Sequence, residues 1–385
     1  MGQICATNVQ LMRSTTVEIE DIAELEQLLT DRRDLSGVVL NGLELDQVSD
    51  RFLACKLRGA VLIGCSASPE LLAFATWSGA AVFPPLGELP YRPYRKALYG
   101  ALDLYDNFES DQPESYSDTL DAKVYSHWQQ TGGGECTDLL ENLGRRIHDH
   151  SITEAIEDLI EGHEVVAVMG GHGLCRDDDG YSAVSRMSRH LARQGKLMAS
   201  GGGPGAMEAT HLGSWMAPYS DEDLQVALAI LAAAPSFEPV FEWLVAAFAV
   251  RSQFPACEGS PTSLGIPTWL YGHEPPNVFA THIAKYFANA VREDGLLTIA
   301  RHGVIFTPGS AGTVQEIFQD ATQNHYETAG PPSPMVFFGS HFWREELPVT
   351  AVIDSLGRDR AWTDHVTVTD DEDEAVDAIM SHRRR

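Results

Sequence analysis

The second part of the chain is built from short apolar runs that end in glycine and give way to apolar groups at helical spacing. EVVAVMGG (164–171) is one such run, and YSAVSRMSRHLARQ (181–194) follows it with a helical pattern. KLMASGGGPGAMEAT (196–210) again reads as strand, glycine loop and helix. HGVIFTPGSAGTVQEIF (302–318) repeats the plan, and SPMVFFGS (333–340) and HVTVTDDEDEAVDAI (365–379) repeat it twice more. This alternation predicts an α/β fold, a doubly wound Rossmann-like parallel sheet flanked by helices. Ligands in that architecture sit beyond the carboxyl ends of the strands, which is where these glycines fall. Residues 214–262 lack the alternation. They are helix-rich and read as a helical insert or an oligomer face.

Residues 1–150 have a different texture. Leu35, Leu40 and Leu45 recur every five residues, as do Phe52, Leu57 and Leu62. That period is one of a β-solenoid, but six positions are few to sustain a repeat architecture, and an irregular α/β segment is the stronger reading. YDNFESDQPESYSD (105–118) is polar and acidic, with a proline, and reads as a linker or exposed loop. Between Cys136 and Glu161 the spacing of Leu139, Leu140, Leu143, Ile147, Ile152, Ile156 and Leu159 predicts two helices. The expected organisation is an N-terminal extension, 1–150, with a regulatory or oligomerisation role left open. A Rossmann-like catalytic domain over 151–385 would carry the insert at 214–262.

Composition narrows the function. The 385 residues are 44% apolar and 21% charged, as in an ordinary globular protein. The net charge of −28 repels a nucleic-acid backbone. The basic clusters, HRRR at the C-terminus and GRRIH near 144, read as solvated ends or helix faces. Six cysteines form no C-x-x-C pair and sit at no metal-ligand spacing with histidines, so reduced structural thiols are expected. The absence of an 18-residue apolar run and of a signal-peptide core predicts a cytoplasmic protein. The Met-Gly start is a poor myristoylation signal, since position 6 is Ala.

Three glycine loops carry the candidate chemistry. The first holds Gly170, Gly171, His172 and Gly173. The second runs from Ser200 through Gly201, Gly202, Gly203, Pro204 and Gly205 to Met207. The third is Pro308, Gly309, Ser310, Ala311, Gly312 and Thr313. Glycine lets a ligand approach the backbone, and the helix that follows offers free N–H groups and a positive dipole end. Each loop follows a predicted strand, so together they point to a nucleotide or phosphosugar. None is a P-loop or a G-x-G-x-x-G dinucleotide fingerprint.

SGGGPGAMEA, followed about a hundred residues later by PGSAGTVQE, resembles the paired motifs of the LOG family, long mislabelled lysine decarboxylase. That family comprises phosphoribohydrolases that cleave nucleoside 5′-monophosphates to free base and ribose 5-phosphate. The chain's length, its N-terminal extension and EPPN (274–277) are more similar to the longer members, the pyrimidine/purine nucleotide 5′-monophosphate nucleosidases. The resemblance covers about residues 162–380. It implies that Glu316 is the catalytic glutamate and that Pro308, Gly309, Gly312 and Thr313 form the phosphate- and ribose-binding turn. It places Met207 beside the glycine loop and Thr322 near the base. The family's arginine falls on Arg292 counting from Asn277, and one residue further on counting from Pro308. Ser310 stands where the family has glycine.

The chemistry so implied builds positive charge on the ribose, which a fixed carboxylate stabilises while it aligns or deprotonates a water. Arg292 would hold a phosphate or a ribose hydroxyl with its planar fork. A second group is expected to help the base leave, by analogy with two-carboxylate glycoside hydrolysis, and the sequence does not identify it. No redox cofactor or metal is required. The resemblance also implies a homodimer or higher homo-oligomer, with AMP, GMP, CMP or UMP as substrate class. Two alternatives stand beside this reading. Thr313-x-x-Glu316 is also a capping box, which would make Glu316 a helix cap. The same fold also serves non-catalytic nucleotide or molybdenum-cofactor carriers. His172 reads as a phosphate contact or a solvated loop residue; His211, His282 and His302, with Trp215, Trp243 and Phe248, read as structural.

Overall fold

The computed structural model describes residues 17–83, 86, 89–95 and 97–382. The chain divides into two compact units, Met1–Lys96 and Ala97–Arg385. The boundary thus falls at Lys96, earlier than the position near 150 expected from sequence. The physical reason is that the segment from Ala97 to Ile160 packs with the second sheet: Tyr99 exchanges backbone hydrogen bonds with Ile283, and Phe287 N donates to Asp149 at 2.8 Å.

The first unit is a regular α/β coil. Its strands β1 (Val17–Ile19), β2 (Val38–Asn41), β3 (Val61–Ile63) and β4 (Ala81–Phe83) pair in chain order, all parallel. Val17 pairs with Val38, Val39 with Val61, and Val61 with Ala81, so one turn of the coil takes about twenty residues. The five-residue spacing seen in the sequence is internal to each turn. Leu35 and Leu57 precede a strand, Leu40 and Leu62 lie within one, and Leu45 follows; all are fully buried. A glycine at positive φ opens each later strand, at Gly37, Gly59 and Gly79. These glycines stack, Gly37 N donating to Gly59 O and Gly59 N to Gly79 O.

The second unit is the doubly wound sheet. It contains β5 (Val165–Met169), β6 (Leu197–Ser200), β7 (Ser263–Gly265), β8 (His282–Ile283), β9 (Val304–Phe306), β10 (Met335–Phe338) and β11 (Val366–Thr369). Their order is β11-β10-β9-β5-β6-β7-β8, all parallel. Sequence order runs outward from β5 on one side and from β9 on the other. The switch point therefore lies between β5 and β9, where the first and third glycine loops emerge side by side. The β5 and β9 strands are wholly buried and uniformly apolar, as a sheet covered on both faces demands. Helices Asp179–Arg193 and Ala206–Trp215 approach closely at Gly213, where an added Cβ would come within 2.3 Å of Ser185 O.

Several local expectations are revised. One 22-residue helix, Leu139–Ile160, replaces the two predicted. It buries a polar row, Glu141, Arg145, His148 and Asp149, while Leu139 is 79% exposed and Leu140 62%. Arg145 of GRRIH is accordingly not solvated: it donates to Glu141, Gly133 O and Thr131. Residues 383–385 of the other basic cluster lie outside the described residues, as do Cys5 and the Met-Gly start. The acidic stretch 105–118 is not a free linker. Tyr105 OH donates to Pro276 O at 2.6 Å, and Phe108 stacks on Phe248 of the insert at 5.3 Å. The insert itself holds helices Asp221–Leu231 and Val240–Gln253. Asp371 caps the last helix, its Oδ1 accepting from Glu374 N at 2.9 Å. Among the described residues no cysteine is in a disulfide, and no helix is long and apolar enough to cross a membrane.

Candidate functional site

The three glycine loops converge on one cleft at the carboxyl ends of β5, β6 and β9. Gly171 N donates to Pro308 O at 3.3 Å, and Ala206 N donates to Gly171 O at 3.2 Å, so each loop braces the next. Gly205, at φ 70°, shows why glycine is needed: a Cβ there would stand 2.4 Å from Gly171 O. Ser200 lies beneath the second loop. Its Oγ accepts from Gly202 N at 3.1 Å and meets His211 Nε2 at 2.8 Å. Burial holds the His211 imidazole down to about 3, so it braces the loop as a neutral ring.

Glu316 reaches the cleft from the helix Ala311–Tyr326. Arg292, from the helix Asn289–Ile299, meets it: Nη1 lies 3.4 Å from Glu316 Oε1. Arg292 Nε also donates to Ile266 O at 2.8 Å, which fixes the guanidinium. Both side chains are nearly covered, at 12% and 13% exposure. Burial pushes the Glu316 carboxyl above its ordinary value, against the pull of Arg292 and with a further push from Glu293. Arg292 faces the carboxylate, while Glu293 accepts from Asn289 and Gln315 at the rim.

The capping box does not form. The helix begins at Ala311 with Ser310 at its N-cap, no side chain caps it, and Glu316 is the sixth residue of the helix, beyond its first turn. Ser310 is extended, at φ −111° and ψ −151°, so serine carries no strain where the resembling family has glycine. Thr313 is buried at the cleft wall, its Oγ1 within 2.2 Å of where a Cβ on Gly309 would stand.

The cleft is lined from the predicted set by Gly170, Gly171, Gly201, Gly203, Met207, Arg292, Ser310, Gly312, Thr313 and Glu316. Ser200, Gly202, Gly205, Pro308 and Gly309 shape the loops behind that surface, and Gly173 lies beside it. Thr322 is not brought to the cleft. It is exposed two turns further along the helix, and its hydroxyl donates to Phe318 O at 2.6 Å. Trp215 and Trp243 are buried in the insert's packing, away from the cleft.

His172, read from sequence as a phosphate contact or a solvated loop residue, also lines the cleft, with Thr268, Tyr271, Glu274 and Glu293, to which sequence reasoning gave no role. Nδ1 of His172 lies 3.1 Å from Glu274 Oε1. The signal that could have found this pair was weak, a loop histidine and the first letter of EPPN a hundred residues apart. Behind the second loop, Glu208 is buried with Arg176, whose Nη2 donates to it at 2.5 Å. Arg176 also donates to Trp243 O at 3.1 Å, tying the insert to the loop.

No protein-family model matches the chain, and no curated protein matches it. Among solved structures, the chain is similar to a molybdenum cofactor binding protein of the phototrophic bacterium Rippkaea orientalis, at 12% identity and a TM-score of 0.36, over 57% of this chain and 96% of that one. It is similar to a Moco carrier protein of Chlamydomonas reinhardtii at 14% identity and a TM-score of 0.35, over 57% and 96%. A second structure of the carrier from that alga gives 13% identity and 0.35, over 57% and 97%. Scores of this size add nothing to the topology read from the strands themselves.

Proposed function

We propose that the chain hydrolyses the N-glycosidic bond of nucleoside 5′-monophosphates, releasing free base and ribose 5-phosphate. The observation that carries this reading is the buried Glu316 carboxylate held against Arg292 in a cleft walled by three glycine loops. The 5′-phosphate would lie against the N-terminus of the helix that opens at Ala311, where N–H groups point outward. Cleavage transfers the bond's electron pair to the base and leaves positive charge on C1′ and the ring oxygen. Glu316 stabilises that charge and takes a proton from the water that attacks C1′. A carboxyl raised by burial is a better base than an ordinary one, and the Arg292 guanidinium pulls against that rise. Arg292 then also holds a ribose hydroxyl or phosphate oxygen. A second copy of the chain, forming a homodimer or higher assembly, belongs to the same proposal and is read by light scattering.

A second reading has one observation in its favour. The 3.4 Å contact neutralises Glu316 with Arg292, an arrangement that equally serves to aim an arginine at a bound anion without chemistry. The chain would then be a carrier of a phosphorylated ligand, nucleotide or molybdenum cofactor. Purified protein incubated with AMP, GMP, CMP and UMP, followed by chromatography for free base, separates the two. The hydrolase reading expects release, and about a 10²–10³-fold loss of kcat in Glu316→Gln with the melting curve intact. Tight binding of a monophosphate with no release, or a fully active Glu316→Gln, sinks it.

A further inference from the structure

The cleft holds a second pair of ionisable side chains that the reaction above leaves idle. His172 follows Gly171 after β5, and Glu274 arrives from the segment between β7 and β8. Their contact is 3.1 Å, with Glu274 covered to 17% exposure and the imidazole half exposed. His273 approaches the same carboxylate oxygen at 3.9 Å from the solvent side. Phe237 stands edge-on to the His172 ring, centroids 5.9 Å apart.

Met207 lies near a member of each pair. A Cβ on Gly201 would meet Arg292 Nη2 at 2.0 Å and Met207 Sδ at 2.6 Å. One on Gly203 would meet Met207 Cε at 2.9 Å and Glu274 Oε2 at 3.8 Å. Arg292 and Met207 Sδ thus meet at Gly201, Met207 Cε and Glu274 meet at Gly203, and both pairs line the one cleft. Resting on the nucleotide reading, with C1′ beside Glu316, either phosphate or base extends toward His172. A phosphate dianion is repelled by Glu274 and has the helix N-terminus at Ser310 instead. The base belongs at the His172 end, where a carboxylate suits its exocyclic amino groups.

We infer that His172 is the proton donor to a departing purine and that Glu274 positions it. With Nδ1 turned to Glu274, Nε2 is the nitrogen left to meet the base. The bond from C1′ to N9 breaks, and its electron pair goes to the purine. His172 gives the purine a proton, and water supplies hydroxide to C1′ and its remaining proton to Glu316. His172 is reprotonated from solvent, which its half-exposed ring reaches, and Glu316 releases its proton. The sum is one water added across the glycosidic bond. Glu293 also lines the cleft, but its carboxylate already accepts from Asn289 at 2.7 Å and Gln315 at 2.9 Å.

GMP and its N7-methylated form make the test. The methylated base is cationic before the bond breaks and leaves neutral without an added proton. His172→Gln is expected to lower kcat for GMP by about 10²-fold or more and to leave the methylated substrate near the wild-type rate. Glu274→Gln is expected to give the same split in smaller measure, an outcome that general loosening of the cleft would not produce. Equal slowing of both substrates by His172→Gln overturns the inference, as does undiminished GMP cleavage or a wild type that cleaves only pyrimidine nucleotides. Absence of release from every monophosphate would instead remove the hydrolase reading on which it rests. Melting curves of both variants, with His172 at the surface of its loop, report whether the fold is kept.

Discussion

At the scale of single residues, the helix that bears Glu316 carries a second carboxyl one turn further on. Asp320 is buried, and its Oδ2 has no hydrogen-bond partner. Burial alone pushes it from 3.8 up to about 8. Between these values the folded chain holds a proton that the unfolded chain has released. Stability from this group is therefore fully present below about 4, falls as pH rises, and is spent above about 8. Asp320→Asn, which keeps the shape and needs no proton, should gain stability over the wild type as pH rises from about 5 to 8, by at most about 1.4 kcal/mol per unit. Urea unfolding of both proteins across that range reads the gap; a constant difference would refute the assignment. Such a group is not legible in sequence, because nothing in VQEIFQDAT marks one carboxyl as facing a cleft and the next as facing the core. Glu316 was legible only because a second motif, a hundred residues away, accompanied its own. Thr313-x-x-Glu316 misled because the capping box presumes that the helix begins at the threonine, whereas the chain turns into helix three residues earlier. His172 and Glu274 meet across long sequence separation, and no local pattern encodes that.

At the scale of elements, the glycine-terminated strands were fully readable, since an all-apolar run followed by glycine has few other uses. The helix Leu139–Ile160 was not. Its leucines suggested a buried face, yet the element buries Glu141, Arg145, His148 and Asp149 in a network of hydrogen bonds and turns its first leucines outward. Periodicity reports which residues share a face; it does not report which face the rest of the molecule covers when both can be satisfied. The expectation that follows is asymmetric along one helix. Ile152→Ala, at a fully buried position, should cost about 2–5 kcal/mol, whereas Leu140→Gln should stay within about 0.5 kcal/mol. Chemical denaturation at one protein concentration distinguishes them, and equal costs would mean that the leucine end is covered in solution. The coil of the first unit shows the same limit in another form. Leu35, Leu40 and Leu45 are all core residues, but the repeat that matters is the pairing of successive strands, visible only once β1 to β4 are aligned.

At the scale of the whole molecule, the two units are unequal in chemistry. Among the described residues, those that line the cleft fall between Gly170 and Glu316, inside the unit that starts at Ala97. That unit has its own seven-stranded sheet and its own core, including Val166, Phe306 and Phe337. The first unit has a separate core of Leu25, Leu40, Phe52 and Leu62. Two cores of this kind can fold independently. Residues 97–385 expressed alone should therefore unfold in one cooperative transition and keep base release within about threefold of the full chain's kcat, since no described residue that lines the cleft is lost. Calorimetry checks the first part and the chromatographic assay the second. A fragment that folds cooperatively yet binds or cleaves nucleotide far more weakly would show that residues 1–96 act on the cleft, through its loops or through assembly. A fragment that does not fold would show that the division into units is one of packing and not of stability.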